Sequence, residues 1–192
     1  MRILIDLDDV VDNLLPTWVN ELNKRYNLHV NEVTCWDITK DFPTLTENQI
    51  FEVLEEEDFW KNIKPIQDSI YYINKLKENH FIYFCTASSP KNFYLKYEYF
   101  LKKYFPDFSD LEDYLICIKH KQLIKADILI DDNINNLIIN SEIPNYVGIL
   151  FTNSHNKNIN EKEKGLYRVN NWEECYNLID KISENYFDFL PY

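Results

Sequence analysis

Ile3-Leu4-Ile5-Asp6-Leu7-Asp8-Asp9-Val10-Val11-Asp12 opens as an apolar run and ends abruptly in acid. Ile3 to Ile5 read as a short strand buried on both faces, as in the middle of a parallel sheet. Four carboxylates then crowd the positions from Asp6 to Asp12. Like charges at the mouth of a buried strand need compensation, and a bound cation is the most direct one. Asp6 and Asp8 lie two apart, so they point the same way while the chain stays extended. The plainer alternative is an acidic turn after an edge strand.

Working outward, Leu14, Leu15, Trp18, Leu22 and Tyr26 recur at helical spacing, with Pro16 suited to a first turn. Residues 27 to 45 read as irregular. Thr46-x-x-Gln49 is a capping-box pattern before Ile50, Phe51 and Leu54. Asp68 is expected to cap a helix carrying Ile70, Ile73 and Leu76. Phe81 to Cys85 is the second strand, followed by Thr86-Ala87-Ser88-Ser89-Pro90. Ser89-Pro90 then starts a helix striped by Phe93, Tyr97, Phe100 and Tyr104. Leu115–Ile118, Ala126–Ile130, Val147–Phe151 and Leu166–Val169 read as four more strands, and Trp172 to Ile182 as a last helix.

Strands alternating with helices predict an α/β fold, a Rossmann-like doubly wound parallel sheet. The step from strand one to strand two takes about eighty positions, where a bare strand-helix-strand unit needs about thirty. The surplus predicts a small helical cap inserted after strand one, over residues 14–64, with a core of 1–13 and 65–192. The insert begins directly after the aspartates, so it is placed to cover them.

Composition narrows the function. The 192 residues carry a net charge of -12, which repels nucleic-acid polymers and anionic membranes. With only two glycines, Gly148 and Gly165, a glycine-rich phosphate cradle is excluded. Cys35, Cys85, Cys117 and Cys175 form no metal-type pair, and Cys85 and Cys117 read as small core residues. A reduced, intracellular, cytoplasmic protein is expected, with no signal peptide or membrane span. His29, His80, His120 and His155 show no ligand spacing and read as surface or loop residues. A calcium-binding loop is excluded, because the run from Asp6 lacks the required glycine and distal glutamate.

In such sheets, ligands bind at the carboxyl ends of the strands, where strand order reverses. Asp6 and Asp8 end the first strand, Thr86 the second, and Asp131 and Asp132 the fourth, with Lys121 ahead of it. Taken singly, the paired aspartates read as a capping turn, Thr86 as a cap and Lys121 as a solvated lysine. Taken in order, the acids suit one hard divalent cation, and the hydroxyl and ammonium suit a phosphate.

Asp6-Leu7-Asp8-Asp9-Val10, Thr86, Lys121 and Asp131-Asp132 resemble the four motifs of the haloacid dehalogenase superfamily of phosphotransferases. More narrowly, the chain resembles the cytosolic-type and mitochondrial 5′(3′)-deoxyribonucleotidases. Ile3 to Val11, Phe84-Cys85-Thr86, Ala126 to Asp132 and Phe151-Thr152-Asn153-Ser154-His155-Asn156 carry that likeness over almost the whole chain. Two departures stand out. Asp9 occupies a position where the family usually has glycine. Asn133 follows the paired aspartates where the animal enzymes have an arginine, whose contacts would fall to Lys91 or Lys96.

The resemblance implies Mg²⁺-dependent hydrolysis of deoxyribonucleoside monophosphates through an aspartyl-phosphate. Asp6 would be the nucleophile and Asp8 the acid and then the base. The metal would sit on Asp6, Asp8 through its backbone carbonyl, Asp131 and Asp132, and the phosphate on Thr86, Ala87 and Lys121. Trp36, Phe42, Phe59 and Trp60 are candidates to sandwich a base, or are the cap's own core. Another small phosphomonoester as substrate, and a non-catalytic phosphate- or metal-binding relic, are the alternatives. Oligomeric state is left open, with a homodimer one option.

Overall fold

The strands of the described residues pair into one six-stranded sheet, and its central strands are the most aliphatic. The computed structural model describes residues 1–138, 146–162 and 165–190. The strands are β1 (Arg2–Asp6), β2 (Phe81–Thr86), β3 (Leu115–Cys117), β4 (Ile128–Asp131), β5 (Val147–Phe151) and β6 (Tyr167–Val169). Their order is β3-β2-β1-β4-β5-β6, and every pairing is parallel. Strand order therefore reverses between β1 and β4, at the two strands that end in aspartates.

Alternation along the strands sorts side chains to two faces. Ile3, Ile5, Phe84, Ile128, Ile130 and Ile149 join the larger core cluster, and Leu4, Cys85, Leu129 and Leu150 join the smaller one. The larger cluster is covered by α4 (Ser69–Lys77), by α5 (Pro90–Leu95) with its continuation α6 (Lys102–Tyr104), and by α8 (Trp172–Glu184). Among the described residues, the other face carries α7 (Ile134–Leu137) and connecting segments such as those bearing Tyr146 and Leu166. Gly148 in β5 permits that thin cover, because a Cβ there would stand 2.5 Å from Leu166 Cδ2. Each of these aliphatic side chains stabilises the fold by about 1.5–3 kcal/mol when fully buried.

Between β1 and α4 run α1 (Leu14–Tyr26), α2 (Glu47–Phe51) and α3 (Glu57–Asn62). The segment leaves and rejoins the sheet at one place: Asn13 N donates to Lys64 O and Ile66 N to Val11 O, at 2.9 and 2.8 Å. The capping box at Thr46 forms as the sequence predicts, with Gln49 Oε1 accepting from Thr46 N at 2.9 Å. The Ser89-Pro90 start of α5 also forms. Asp68 behaves otherwise. It takes a left-handed conformation and makes no side-chain cap bond to α4; the turn is held by Ser69, whose Oγ donates to Val11 O at 3.1 Å. Cys117 also departs from expectation, since the short edge strand β3 leaves it exposed. No helix among the described residues is long and apolar enough to cross a membrane.

Candidate functional site

The carboxyl ends of β1 and β4 bring Asp6, Asp131 and Asp132 together, all buried. One carboxylate oxygen from each lies within 4.8 Å of the others. Lys121 reaches in from a 3₁₀ turn (Lys121–Leu123) between β3 and β4. Its Nζ lies 2.6 Å from Asp6 Oδ1 and 2.7 Å from Asp131 Oδ2, and it is 2% exposed. Burial works against its charge, but the fields of Asp6 and Asp131 outweigh burial and raise its pKa. Asp131 has further donors in Asn133 N and Asn136 Nδ2. Asp132 Oδ1 is buried with no hydrogen-bond partner.

Lys121 alone cannot neutralise this cluster. Burial pushes the Asp6 carboxyl up to about 7, with the Asp131 and Asp8 fields adding and Lys121 opposing. Burial likewise holds Asp132 well above the usual carboxylate range. An orphaned buried oxygen, a surplus of carboxylates and an all-oxygen donor set fit a hard divalent cation held by Asp6, Asp131 and Asp132.

A second lysine completes the arrangement. Lys96 stands where α5 passes into a π turn, Lys96–Leu101. Its Nζ lies 2.5 Å from Asp8 Oδ2, 2.8 Å from Thr86 Oγ1 and 2.7 Å from Ser88 Oγ. An ammonium has three donors, so Lys96 has none left for a ligand. It therefore does not replace the arginine missing at 133. Lys91 does not either: it is exposed, 3.9 Å from Glu55. Asn133 spends its own side-chain oxygen capping α7, accepting from Asn135 N at 3.0 Å. The exposed cation at this mouth is Lys119, which lines the cavity with Lys121 and Asn133.

Asp9 is explained by backbone conformation. Its φ is 58°, in the left-handed region that glycine enters freely and aspartate tolerates. The carboxylate also works at the start of α1, accepting from Leu15 N at 2.8 Å, while Asp12 Oδ1 accepts from Leu14 N at 3.1 Å. Asn13, the formal cap, makes no side-chain bond, so two aspartates from the preceding turn do its work. Burial raises the pKa of both.

Phe151–Asn156 acquires a role that its spacing did not disclose. Asn153 Nδ2 donates to Asp9 O at 2.8 Å and to Asp132 Oδ2 at 3.2 Å. Asn156 Nδ2 donates to Asp132 O at 2.8 Å. His155 is a loop residue as expected, but its ring is 6% exposed, with Nε2 3.4 Å from Asp132 Oδ2. Burial lowers its pKa. These side chains tie the turn after β1 to the turn after β4 and leave Asp132 Oδ1 free. The signal in the sequence was the family likeness that this segment carries, which named no contact for Asn153, His155 or Asn156.

Above the cluster is a cavity of about 420 Å³. Asp6, Asp8, Ala87, Lys121 and Asp132 form its floor, and Leu15, Trp18, Trp36 and Leu54 from the 14–64 segment line it as well. Thr86 lies behind that floor, fully buried, with its hydroxyl on Lys96 and Ser88. Of the four aromatic candidates, Trp36 alone lines the cavity; it is 58% exposed, and its ring meets His155 edge-on at 5.7 Å. Phe42, Phe59 and Trp60 are buried in the large core cluster, with Trp60 Nε1 donating to Leu54 O at 2.8 Å. They are the packing of this segment rather than a base sandwich, because short helices can bury little else.

Residues 1–185 match the family described as 5′ nucleotidase, deoxy (Pyrimidine), cytosolic type C protein. The 5′(3′)-deoxyribonucleotidase of Bacillus subtilis (strain 168) is 35% identical over 176 residues, covering 90% of this chain and 94% of that one. The same figures hold for the 5′(3′)-deoxyribonucleotidase of Bacillus phage SPbeta. Among solved structures, a hydrolase from Pseudomonas syringae superposes with a TM-score of 0.58 at 15% identity, over 95% of this chain and 99% of that one. A haloacid dehalogenase-like hydrolase from Streptococcus pneumoniae gives a TM-score of 0.57 at 11% identity, over 93% and 97%. At these identities the structures establish the fold, which is haloacid dehalogenase-like.

Proposed function

We infer the activity from one premise: this chain belongs to the deoxy-type, cytosolic type C 5′-nucleotidase family. The reading is a phosphomonoesterase that hydrolyses deoxyribonucleoside monophosphates to nucleoside and phosphate. The observation that carries it is the meeting of Asp6, Lys121, Asp131 and Asp132 at the strand-order reversal, under a cavity of nucleotide size.

Asp6 attacks phosphorus and becomes an aspartyl-phosphate. Asp8 protonates the leaving nucleoside oxygen, then takes a proton from the attacking water. Lys121 stabilises the charge on the phosphoryl oxygens. Mg²⁺, held by Asp6, Asp132, the Asp8 carbonyl and Asp131, would supply Lewis-acid charge neutralisation. Ala87 and the Thr86 turn receive the phosphate. Lys119 takes the place of the arginine absent at 133. Residues 14–64 act as a cap, whose Trp36 faces the base with His155 beside it.

The test is phosphate release from a panel of deoxy- and ribonucleoside monophosphates and sugar phosphates. Deoxyribonucleotides are expected to be the best substrates, with turnover lost in Asp6→Asn and lost reversibly in EDTA. Full activity of Asp6→Asn refutes the mechanism. A clear preference for sugar phosphates keeps the chemistry and refutes the substrate.

A further inference from the structure

Among the described residues, four side chains hold a buried oxygen with no hydrogen-bond partner: Asp8, Asp12, Asn92 and Asp132. Three are carboxylates in the turns after β1 and β4. Asn92 is neither charged nor at a strand end, and neither the metal nor the phosphate accounts for it. It is 8% exposed, and it lines the cavity above the reaction centre. An unpaired amide in that wall costs free energy that an apolar side chain of similar size would not.

Local structure sets Asn92 on the wall next to the phosphate floor. Ser89 caps α5, its Oγ accepting from Asn92 N at 3.2 Å. The same Oγ donates to Glu55 Oε1 at 2.8 Å, which draws the start of α5 against the 3₁₀ turn Glu52–Glu55 of the 14–64 segment. Asn92 follows Ala87 of the floor by five positions and shares the cavity wall with Leu54 of that turn. The same segment adds the apolar side chains of Leu15, Trp18 and Phe51 to the lining. Oδ1 of Asn92 is sealed from solvent, and Nδ2 donates to no group among the described residues. The N–H₂ end is therefore the end open to the cavity.

A hydroxyl is the ligand group that answers such an amide. It accepts from Nδ2 as the side chain stands, and it donates to the oxygen if the amide turns over. In a deoxyribonucleoside 5′-monophosphate with its phosphate on Ala87 and Lys121 and its base toward Trp36, the sugar lies between the two, just above the floor. The hydroxyl that this sugar carries is on its 3′ carbon. We propose that Asn92 binds the substrate's 3′-hydroxyl, with Nδ2 as the donor, and so reads the sugar. This rests on the reading of the substrate as a nucleotide.

Deoxythymidine 5′-monophosphate and its 2′,3′-dideoxy analogue differ only in the 3′-hydroxyl, so two substrates and two proteins make a double-mutant cycle on the full chain. For the wild type, loss of the hydroxyl is expected to lower kcat/KM by about 5- to 30-fold, the range of one hydrogen bond to a desolvated group. The change falls on KM rather than kcat, because the contact is made alike before and during the reaction. Asn92→Leu keeps about the same volume, breaks no hydrogen bond within the protein and favours the helix, so it is expected to fold. It should lose a similar factor on the deoxynucleotide and differ from the wild type by less than ~2-fold on the dideoxy analogue. Asn92→Ala is expected to repeat the pattern and covers the case in which leucine crowds the sugar. In an Asp6→Asn background, which does not turn over, the same factor is expected in Kd by titration calorimetry.

Equal kcat/KM of the wild type on the two nucleotides overturns the proposal. So does a loss in both variants that is the same on both nucleotides, which marks a distorted wall or a contact elsewhere on the substrate, and so does no loss in either variant. A wild type that cleaves sugar phosphates and neither nucleotide overturns the nucleotide reading, and the assignment of a nucleotide hydroxyl falls with it. Wild-type activity on the deoxynucleotide tells the two failures apart.

Discussion

Replacing Lys121 by methionine removes the one ammonium placed between Asp6 and Asp131. Methionine keeps most of the volume, so packing is nearly conserved and charge is the main variable. In the native chain, Nζ sits 2.6 Å from Asp6 and 2.7 Å from Asp131, with all three groups buried. Removing one partner of a buried ion pair typically destabilises by about 3–5 kcal/mol, because the remaining charge is left uncompensated. The loss is not doubled by the second carboxylate, since Asp131 retains Asn133 N and Asn136 Nδ2, and Asp6 retains Leu7 N. For a chain of this length, about 3–5 kcal/mol is a fall in Tm of roughly 6–20 °C.

Thermal and guanidinium unfolding in EDTA at neutral pH read this loss. Excess Mg²⁺ is expected to stabilise the variant more than the wild type, because a bound cation then takes over charge that the lysine no longer balances. Phosphatase activity should stay lost even so, because Mg²⁺ does not restore the cation aimed at the phosphoryl oxygens. A Lys121→Met protein as stable in EDTA as the wild type, within about 1 kcal/mol, would refute the electrostatic account of the site.

Four other outcomes follow from the same geometry. Burial raises Asp6 to about 7, so between the unfolded carboxyl value near 4 and that pH the folded chain binds more protons than the unfolded one. Stability of the metal-free protein should therefore be greatest below about pH 4 for this group and fall, by up to about 4 kcal/mol, as pH rises through about 7. A flat or rising curve of unfolding free energy in EDTA over that window contradicts it. Asp9 sits at φ 58°, so Asp9→Gly should be at least ~1 kcal/mol more stable than Asp9→Ala in urea unfolding, since alanine keeps the strained Cβ. Trp36→Ala should raise KM for nucleotides by roughly 2- to 13-fold, the range of one aromatic contact, and leave Tm nearly unchanged. Trp60→Ala should instead cost about 3–5 kcal/mol of stability.

The chain by itself settled much of what depends on local pattern, the missing Asp68 cap aside. Three aliphatic residues before Asp6, and three before Asp131, mark strands in the middle of a parallel sheet, as the structure has them, whereas the order of the strands came only from the structure. The capping box at Thr46 and the Ser89-Pro90 start of α5 form because they are contacts over three residues. The 74 residues between β1 and β2 are more than a bare strand-helix-strand unit needs, and they carry α1 to α4.

Tertiary structure decided what depends on which distant groups meet. Among Trp36, Phe42, Phe59 and Trp60, composition cannot tell a cavity wall from a core, and packing left only Trp36 facing the cavity. Lys91 and Lys96 looked alike as candidate phosphate cations. One is solvated, and the other has all its donors consumed by Asp8, Thr86 and Ser88, a fact that only the π turn's placement of Lys96 reveals. The run Ile3 to Asp12 shows the same division. Its aliphatic residues and acids declared a buried strand ending in charge. Asp9, unexplained by type, is explained by a backbone angle and by the amide of Leu15, and Asp8 is held by a lysine eighty-eight residues away.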